Sequence, residues 1–381
     1  MNLLIHDLNA EQWNEISAEY AGWEVVTDDD KISPCVGCFG CWYRTPGECV
    51  IKDGHDDMGA LIHNADEVVV ISRYTYGGFS GAVKNIFDRS LSYILPQFEI
   101  IGGETHHKKR YDEDKPFTFI FYGHDLTDAQ KISAILYVEA VCTNIRGHIK
   151  EVIFRECADC AAEGAVPGAA PNTKTVILNG SMRAVSGNSA MFARALKPQL
   201  ESDPEIIDLK DYLDDMSALV RKLEEYGTII LCMPLYVDGM PSQVIRLLEK
   251  FRGEYRGRGA KIYLLANMGL YESRQLRNLF GAVKEWCDEM GFEYAGGLGI
   301  SAGELLGQLT QLGNLRKGPN RRVAQGMERL AAAINSGAKM DDVYAEPFMF
   351  PRWLYILVAN TNWNRLAKSA GNKPEDLYRQ L

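Results

Sequence analysis

The stretch TKTVILNGSMRAVSGNSAMFARAL, running from Thr173 to Leu196, opens as a β-branched apolar run, turns abruptly to glycines and hydroxyls, and closes on a helical-period segment. Strand, polar loop, helix is the order an anion needs. The N–H groups at a helix start lack partners and the local dipole is positive, while Ser181, Ser186, Asn188 and Ser189 add hydrogen bonds and Arg183 adds charge. Gly180 and Gly187 permit the turns and the close backbone approach that a larger residue would block. An ordinary helix cap needs one such polar residue. Several with an arginine, directly behind a buried strand, predict an anion site.

Outward from this stretch, the strand-like runs EIIDL (from Glu205), TIILCM (from Thr228), KIYLLAN (from Lys261) and FEYAGGLGI (from Phe292) alternate with helical segments. That alternation predicts an α/β chain with a parallel sheet covered on both faces. The first half repeats the rhythm with NLLIHD, WEVVTD, EVVVIS, PFTFIFYG and HIKEVIF. Its YTYGGFSGAVKNIFDR stands where the second half has PLYVDGMPSQVIRLLEKF, which aligns Tyr76 with Tyr236. The expected organisation is a domain over 1–160, a linker AAEGAVPGAAPN over 161–172, a domain over 173–319 and a helical extension over 320–381.

With 381 residues and 46% hydrophobic side chains, the chain can bury two cores. A formal charge of −10 and the lack of a sustained basic stripe argue against nucleic acid as a partner. The opening MNLLIHD is too short an apolar run for a signal peptide, so the nine cysteines are expected in a reducing compartment, the cytoplasm. No transmembrane segment is expected, because the apolar run MFPRWLYILVAN is broken by Pro351 and Arg352.

The loop NGSMRAVSGNS resembles the FMN phosphate loop of the NAD(P)H-dependent FMN reductase branch of the flavodoxin-like superfamily. MPLYVDGMPSQ, Met233 to Gln243, is similar to that family's loop beneath the isoalloxazine ring, and ANMGLYES, Ala266 to Ser273, to the loop at the ring's polar edge. The resemblance implies two flavodoxin-like three-layer domains with five-stranded parallel sheets, and a ligand at the carboxyl edge of the second sheet. FMN would be held by Ser181, Arg183, Ser186, Asn188 and Ser189. Pro234, Leu235, Tyr236, Val237 and Met240 would lie along the ring, and Asn267, Met268, Gly269 and Tyr271 at its polar edge. NAD(P)H is the implied co-substrate, and no protein acid or base is required because the flavin carries the chemistry.

The first half, CVGCFGCWYRTPGECVIKDGHDDMGALIHNADEVVVIS with GAVKNIFDR, resembles family members that carry a compact cysteine motif, some of them iron–sulfur flavoproteins. Its first strand, however, runs into HDLNAEQW, which has no glycine, hydroxyl or arginine and puts Asp7 where a phosphate would sit. No FMN is expected there. Cys35, Cys38, Cys41 and Cys49 have a spacing that suits a [4Fe–4S] cubane better than zinc, although Val50 replaces the proline of bacterial ferredoxins. A cluster, free thiols packing a loop, and zinc or redox disulfides all remain as readings. Cys157 and Cys160 read as two separate thiols, and His106 and His107 as solvated loop residues.

The expected function is an FMN-dependent NAD(P)H oxidoreductase passing hydride equivalents to a small acceptor such as a quinone, a flavin or a nitro compound. The rivals are an FMN and iron–sulfur electron-transfer protein serving a redox protein partner, and a non-catalytic scaffold. Because FMN sites of the family often lie at subunit interfaces, the resemblance also leaves open a homo-oligomer.

Overall fold

Both halves fold their β-branched runs into parallel sheets. A computed structural model describes residues 1–157, 160, 173–257, 259–311 and 316–381; the expected linker, 161–172, lies outside the described residues. The chain divides into two compact units, one of Met1–Ala161 with Ile356–Leu381 and the other of Ala162–Tyr355.

The first unit runs β1 (Leu3–His6), α1 (Ala10–Ile16), β2 (Glu24–Val26), α2 (Gly40–Tyr43), α3 (Met58–Asn64), β3 (Val68–Arg73) and α4 (Gly81–Arg89). It continues with β4 (Ile94–Ile101), β5 (Glu104–Lys109), β6 (Lys115–Gly123), α5 (Asp128–Ile145) and β7 (Gly147–Glu156). The order β2-β1-β3-β6-β7, parallel throughout, is that of a flavodoxin-like sheet. Val68, Val69, Val70 and Ile71 are buried because both faces of this central strand are covered. Phe79 stacks against Phe87, Phe119 and Phe121 with ring centroids 4.8–5.9 Å apart.

One element of this unit was not foreseen. β4 and β5 form an antiparallel hairpin, separate from the main sheet, turned at Gly102 and Gly103 with φ of 56° and 85°. Two successive left-handed residues are what a tight hairpin turn demands. His106 and His107 therefore lie in a strand and not in a solvated loop. His106 pairs with Asn144 at 2.7 Å, and His107 packs its ring on Trp42 and Phe98. Burial lowers the His107 pKa to about 4, so the ring stays neutral.

The second unit contains β8 (Thr175–Asn179), α6 (Asn188–Leu196), β9 (Glu205–Asp208), α7 (Met216–Leu223), β10 (Thr228–Pro234) and α8 (Ser242–Glu254). There follow β11 (Lys261–Asn267), α9 (Arg277–Met290), β12 (Glu293–Ile300), α10 (Gly303–Gln311), α11 (Arg321–Ser336) and β13 (Val343–Ala345). Its sheet order is β9-β8-β10-β11-β12-β13. The expected five strands become six, because Val343–Ala345 pairs in parallel with Leu298–Ile300 at the edge. A three-residue strand is too short to show any periodicity in sequence.

Residues 320–381, expected as one extension, are shared between the units. α11 and β13 stay in the second, whereas most of α12 (Arg352–Ser369) and everything after it belong to the first. Among the described residues no helix is long and apolar enough to cross a membrane.

Candidate functional site

The carboxyl end of β8 is built for close approach. Asn179 donates to Asp208 Oδ1 at 2.6 Å and accepts the Ser181 N–H at 3.2 Å, while the Gly180 N–H reaches Cys232 O at 2.8 Å. A Cβ on Gly180 would stand 2.6 Å from Val244 Cγ2. Gly180→Ala is therefore expected to cost about 1–3 kcal/mol by overpacking against a stiff β-branched neighbour, read as a fall in the second unit's thermal midpoint.

Gly187 is the N-cap of α6 and supplies no side-chain cap, as at α2, α3, α8, α9 and α11, whereas α1, α4, α5 and α7 begin on Asn9, Ser80, Thr127 and Asp215, each of which accepts a backbone N–H. The first N–H groups of α6 are thus left uncapped. A Cβ on Gly187 would come 2.7 Å from the Ser181 Oγ, so at both glycines neighbouring side chains pack too close to the backbone to admit a side chain.

A carboxylate of the chain itself sits against this loop. Glu304, near the start of α10, accepts from Asn188 Nδ2 at 2.9 Å and lies 3.6 Å from Arg183 Nη1. Burial raises the Glu304 pKa, and Arg183 and Asn188 pull it back. Neither α10 nor Glu304 was foreseen, although the leucine spacing of GELLGQLTQL carries a helical signal. The other two loop residues face elsewhere. Ser186 is exposed and donates to Arg183 O at 2.9 Å, and the buried Ser189 Oγ accepts from Asn267 Nδ2 at 2.7 Å.

The loop after β10 keeps Pro234, Leu235, Tyr236 and Val237 half-buried and Met240 buried. Tyr236 and Gly239 exchange backbone hydrogen bonds of 3.0 Å around Val237 and Asp238, whose φ values are 38° and 59°. In the first unit Thr75 and Gly78 do the same around Tyr76 and Gly77, with φ of 47° and 79°. Tyr76 is therefore the counterpart of Val237, one place from the expected Tyr236. Backbone handedness sets this register, and side-chain identity does not reveal it.

After β11, Asn267 also donates to Met233 O at 3.2 Å, and buried Met268 is bonded through its backbone to Ile300 and Gly303. Gly269 is exposed, and its carbonyl accepts from the Tyr355 hydroxyl. Tyr271 donates to Phe350 O at 2.7 Å, and Arg352 pairs with Glu272 at 2.8 Å. Residues 350–355 are thereby fastened to this third loop.

The equivalent edge of the first sheet is filled by its own groups. Asp7 replaces Gly180, and its carboxylate accepts the Arg73 N–H at 3.0 and 3.1 Å and the Tyr122 hydroxyl at 2.9 Å. Burial pushes its pKa up, against hydrogen bonds from Ser80, Arg73 and Tyr122. His6 stacks on Trp13 at 4.5 Å. Cys157 and Cys160 form a disulfide, not two separate thiols, because the chain turns at the end of β7 with Cys160 N–H on Cys157 O at 3.0 Å.

The four-cysteine loop is anchored by one arginine of α4. Arg89 donates to Ser33 O at 2.6 Å and to both oxygens of Asp53 at 2.7 and 3.0 Å, and it also reaches the carbonyls of Ile51 and His55. Inside the loop the Gly37 N–H donates to Cys35 Sγ (3.5 Å) and the Gly40 N–H to Cys38 Sγ (3.4 Å). Cys35, Cys38, Cys41 and Cys49 are all half-buried and unpaired by disulfides. Burial pushes the Cys35 thiol up to about 12, aided by Asp88 and then by neighbouring cysteines, and raises the Cys41 thiol well above its ordinary value, aided by the other cysteines. Among the described residues, three potential ligand atoms come within 4.8 Å of one another only at exposed His124, Asp125 and Glu156. Among the described residues no three of the four sulfurs lie within 4.8 Å of one another, whereas the 2.3 Å bonds of a zinc tetrahedron would bring them to about 4 Å.

Comparison with known proteins bears on the same features. Over 81 residues the chain is 33% identical to an iron-sulfur flavoprotein of Methanocaldococcus jannaschii, a match covering 21% of this chain and 41% of that protein. The chain resembles iron-sulfur flavoproteins. A second, from Archaeoglobus fulgidus, is 33% identical over 78 residues, covering 20% of this chain and 34% of that protein. This chain thus spans about two fifths or less of the length of the curated relatives it matches. No family model matches it. Among solved structures, an FMN-dependent NADH-azoreductase from Bacillus anthracis in complex with FMN is similar at 13% identity and a TM-score of 0.32, covering 43% of this chain and 100% of the other. An NAD(P)H:quinone oxidoreductase from Methanothermobacter marburgensis is similar at 11% identity and a TM-score of 0.31, covering 43% and 96%. Likeness at that level establishes no property of this chain.

Proposed function

We propose that the chain is an FMN-dependent NAD(P)H oxidoreductase whose second unit holds the flavin phosphate. One observation carries this reading: Arg183 and Asn188 already grip an anion, the Glu304 carboxylate, beside a helix start without a side-chain cap. A phosphate, with nearly twice the charge and three strong acceptor oxygens, suits those donors better than one carboxylate. When bound, FMN supplies the transfer of hydride equivalents from a nicotinamide to a quinone, flavin or nitro acceptor.

The chain's own part is to bind and orient. Arg183 and Asn188 would hold the phosphate in place of the Glu304 carboxylate, and Ser181, whose Oγ accepts the Arg183 N–H at 3.4 Å, would hold the loop behind it. The Asn267–Ser189 hydrogen bond ties the third loop to the start of α6. Pro234, Tyr236 and Val237 offer a half-buried surface to a ring, and residues 350–355 limit the access of water to the third loop.

The cysteine loop and the resemblance to iron-sulfur flavoproteins favour a second reading, in which a [4Fe–4S] cluster in the first unit passes single electrons to a redox protein partner. Cys35, Cys38, Cys41 and Cys49 would be its ligands. One experiment separates these readings: purification without oxygen, heat release of the bound small molecule, and an iron assay. FMN without iron, with NADPH oxidation, leaves the enzyme reading; FMN with four irons per chain supports the electron-transfer reading. No FMN, and no quenching of added FMN fluorescence, supports the scaffold and ends both.

A further inference from the structure

The cysteine loop is walled by a segment more than 300 residues away in sequence. Trp363 meets Phe39 and Trp42 edge-on, with ring centroids 5.6 and 5.2 Å apart. Asn372 donates to the carbonyls of Tyr43 and Arg44 at 2.8 and 2.9 Å. A Cβ on Gly47 would lie 3.2 Å from the Leu381 side chain.

Arg110, just past β5, fastens this segment. Its guanidinium donates to Leu377 O at 2.8 Å, Arg379 O at 2.6 Å and Ser92 O at 2.7 Å, with a longer bond to Ile94 O, and its own carbonyl accepts from Gln380 at 2.7 Å. The side chain is buried, and all of these acceptors are neutral carbonyls. Among the described residues no carboxylate stands within ion-pair distance of it. A buried cation without a counter-charge is heavily penalised. Its Nη2 shares the Ile94 carbonyl with Trp42 Nε1, at 3.4 and 3.0 Å, which sets the guanidinium beside the residue that follows Cys41. Arg89, the other cation near the thiols, is already neutralised by Asp53. Four protonated thiols offer Arg110 no negative charge, whereas four thiolates around iron and sulfide do.

We propose that Arg110 is the charge partner of the cysteine centre, and that the segment 356–381 it clasps is a structural part of that centre. This rests on the iron–sulfur reading above. Arg110 is a positioning and charge-setting residue, not a ligand; it favours the more negative, reduced state of the centre and holds the wall that shields it.

The test uses the full chain in wild-type, R110Q, R110K and N372A forms, with iron content, iron loss to a chelator, and the midpoint potential from a titration followed by electron paramagnetic resonance. R110Q is expected to show a more negative potential than wild type, because a nearby positive charge no longer offsets the added electron. R110K is expected to stay near wild type, and N372A to keep the potential but lose iron several-fold faster. Loss of iron in R110Q that R110K restores also supports the assignment. An R110Q chain with wild-type iron and wild-type potential overturns it, as does equal loss of iron in R110Q and R110K. An N372A chain with wild-type iron retention removes the role of the segment. A wild-type chain free of iron overturns the iron–sulfur reading itself, and this inference with it.

Discussion

Arg183→Ala is expected to weaken FMN binding by about ten- to a hundredfold while leaving riboflavin binding almost unchanged, both measured by quenching of flavin fluorescence. The magnitude follows from losing hydrogen bonds to a charged group, worth about 1.5–3 kcal/mol, at about 1.4 kcal/mol per factor of ten. Riboflavin is the control because it carries the same ring without the phosphate. Equal losses for the two ligands would place Arg183 at the ring, or in the fold alone, and would end the phosphate assignment. Glu304→Gln is expected to act in the opposite direction, because it removes a carboxylate that occupies the same guanidinium and amide. Burial raises the Glu304 pKa, against Arg183 and Asn188, so its carboxylate takes up a proton at a higher pH than a free glutamate does. The affinity advantage of E304Q over wild type should therefore narrow as pH falls, since the wild-type carboxyl is then neutralised by a proton. A side chain that keeps 41% of its surface exposed screens this effect, so the shift in affinity is expected to be modest.

Asp53→Ala is expected to destabilise the first unit by about 3–5 kcal/mol, the usual cost of removing one partner from a buried pair. Asp53 accepts both arms of fully buried Arg89 together with the N–H groups of Ser33 and His55. Without the carboxylate, the arginine that anchors both ends of the cysteine loop would face carbonyls alone. Burial pushes the Asp53 pKa up, but the bonds from Arg89, Ser33 and His55 outweigh it and hold the carboxyl well below its ordinary range. A depressed native pKa contributes stability that is fully present above the unfolded value of about 3.9 and is lost as pH falls toward the native value. The gap between wild type and D53A should therefore be widest near neutrality and should shrink below about pH 4. Calorimetry over a pH series measures it, with the two units followed as separate transitions. A gap that does not change with pH would show that the ion pair is not its source.

Much of the architecture was legible without coordinates because burial leaves a periodic trace. Runs such as EVVVIS and TIILCM can be hydrophobic throughout only where both faces of a parallel strand are covered, and the intervening helices repeat at their own period. The glycine and hydroxyl change after TKTVILN marked the loop between β8 and α6 for a similarly local reason: a strand end, a turn and a helix start are consecutive in the chain. The missing loop in HDLNAEQW was equally plain, and the buried Asp7 carboxylate fills that edge.

Contacts between distant residues leave no such trace, and the tertiary structure alone decided them. Nothing near Arg183 in sequence indicates that Glu304 lies at its guanidinium, and nothing near Cys41 points to Trp363, Asn372 or Leu377. The edge strand Val343–Ala345 is too short for a period, and the match of Tyr76 to Val237 is set by backbone handedness that side-chain letters do not record. Periodicity reports which face of an element is buried; it does not report what that face, or a charge beside it, meets. For this chain the sequence alone established two parallel-sheet units and the place of the polar loop proposed to take an anion. Only folding determined which carboxylate answers that loop and which cation waits beside the thiols, because those choices depend on distances in space between groups far apart along the chain.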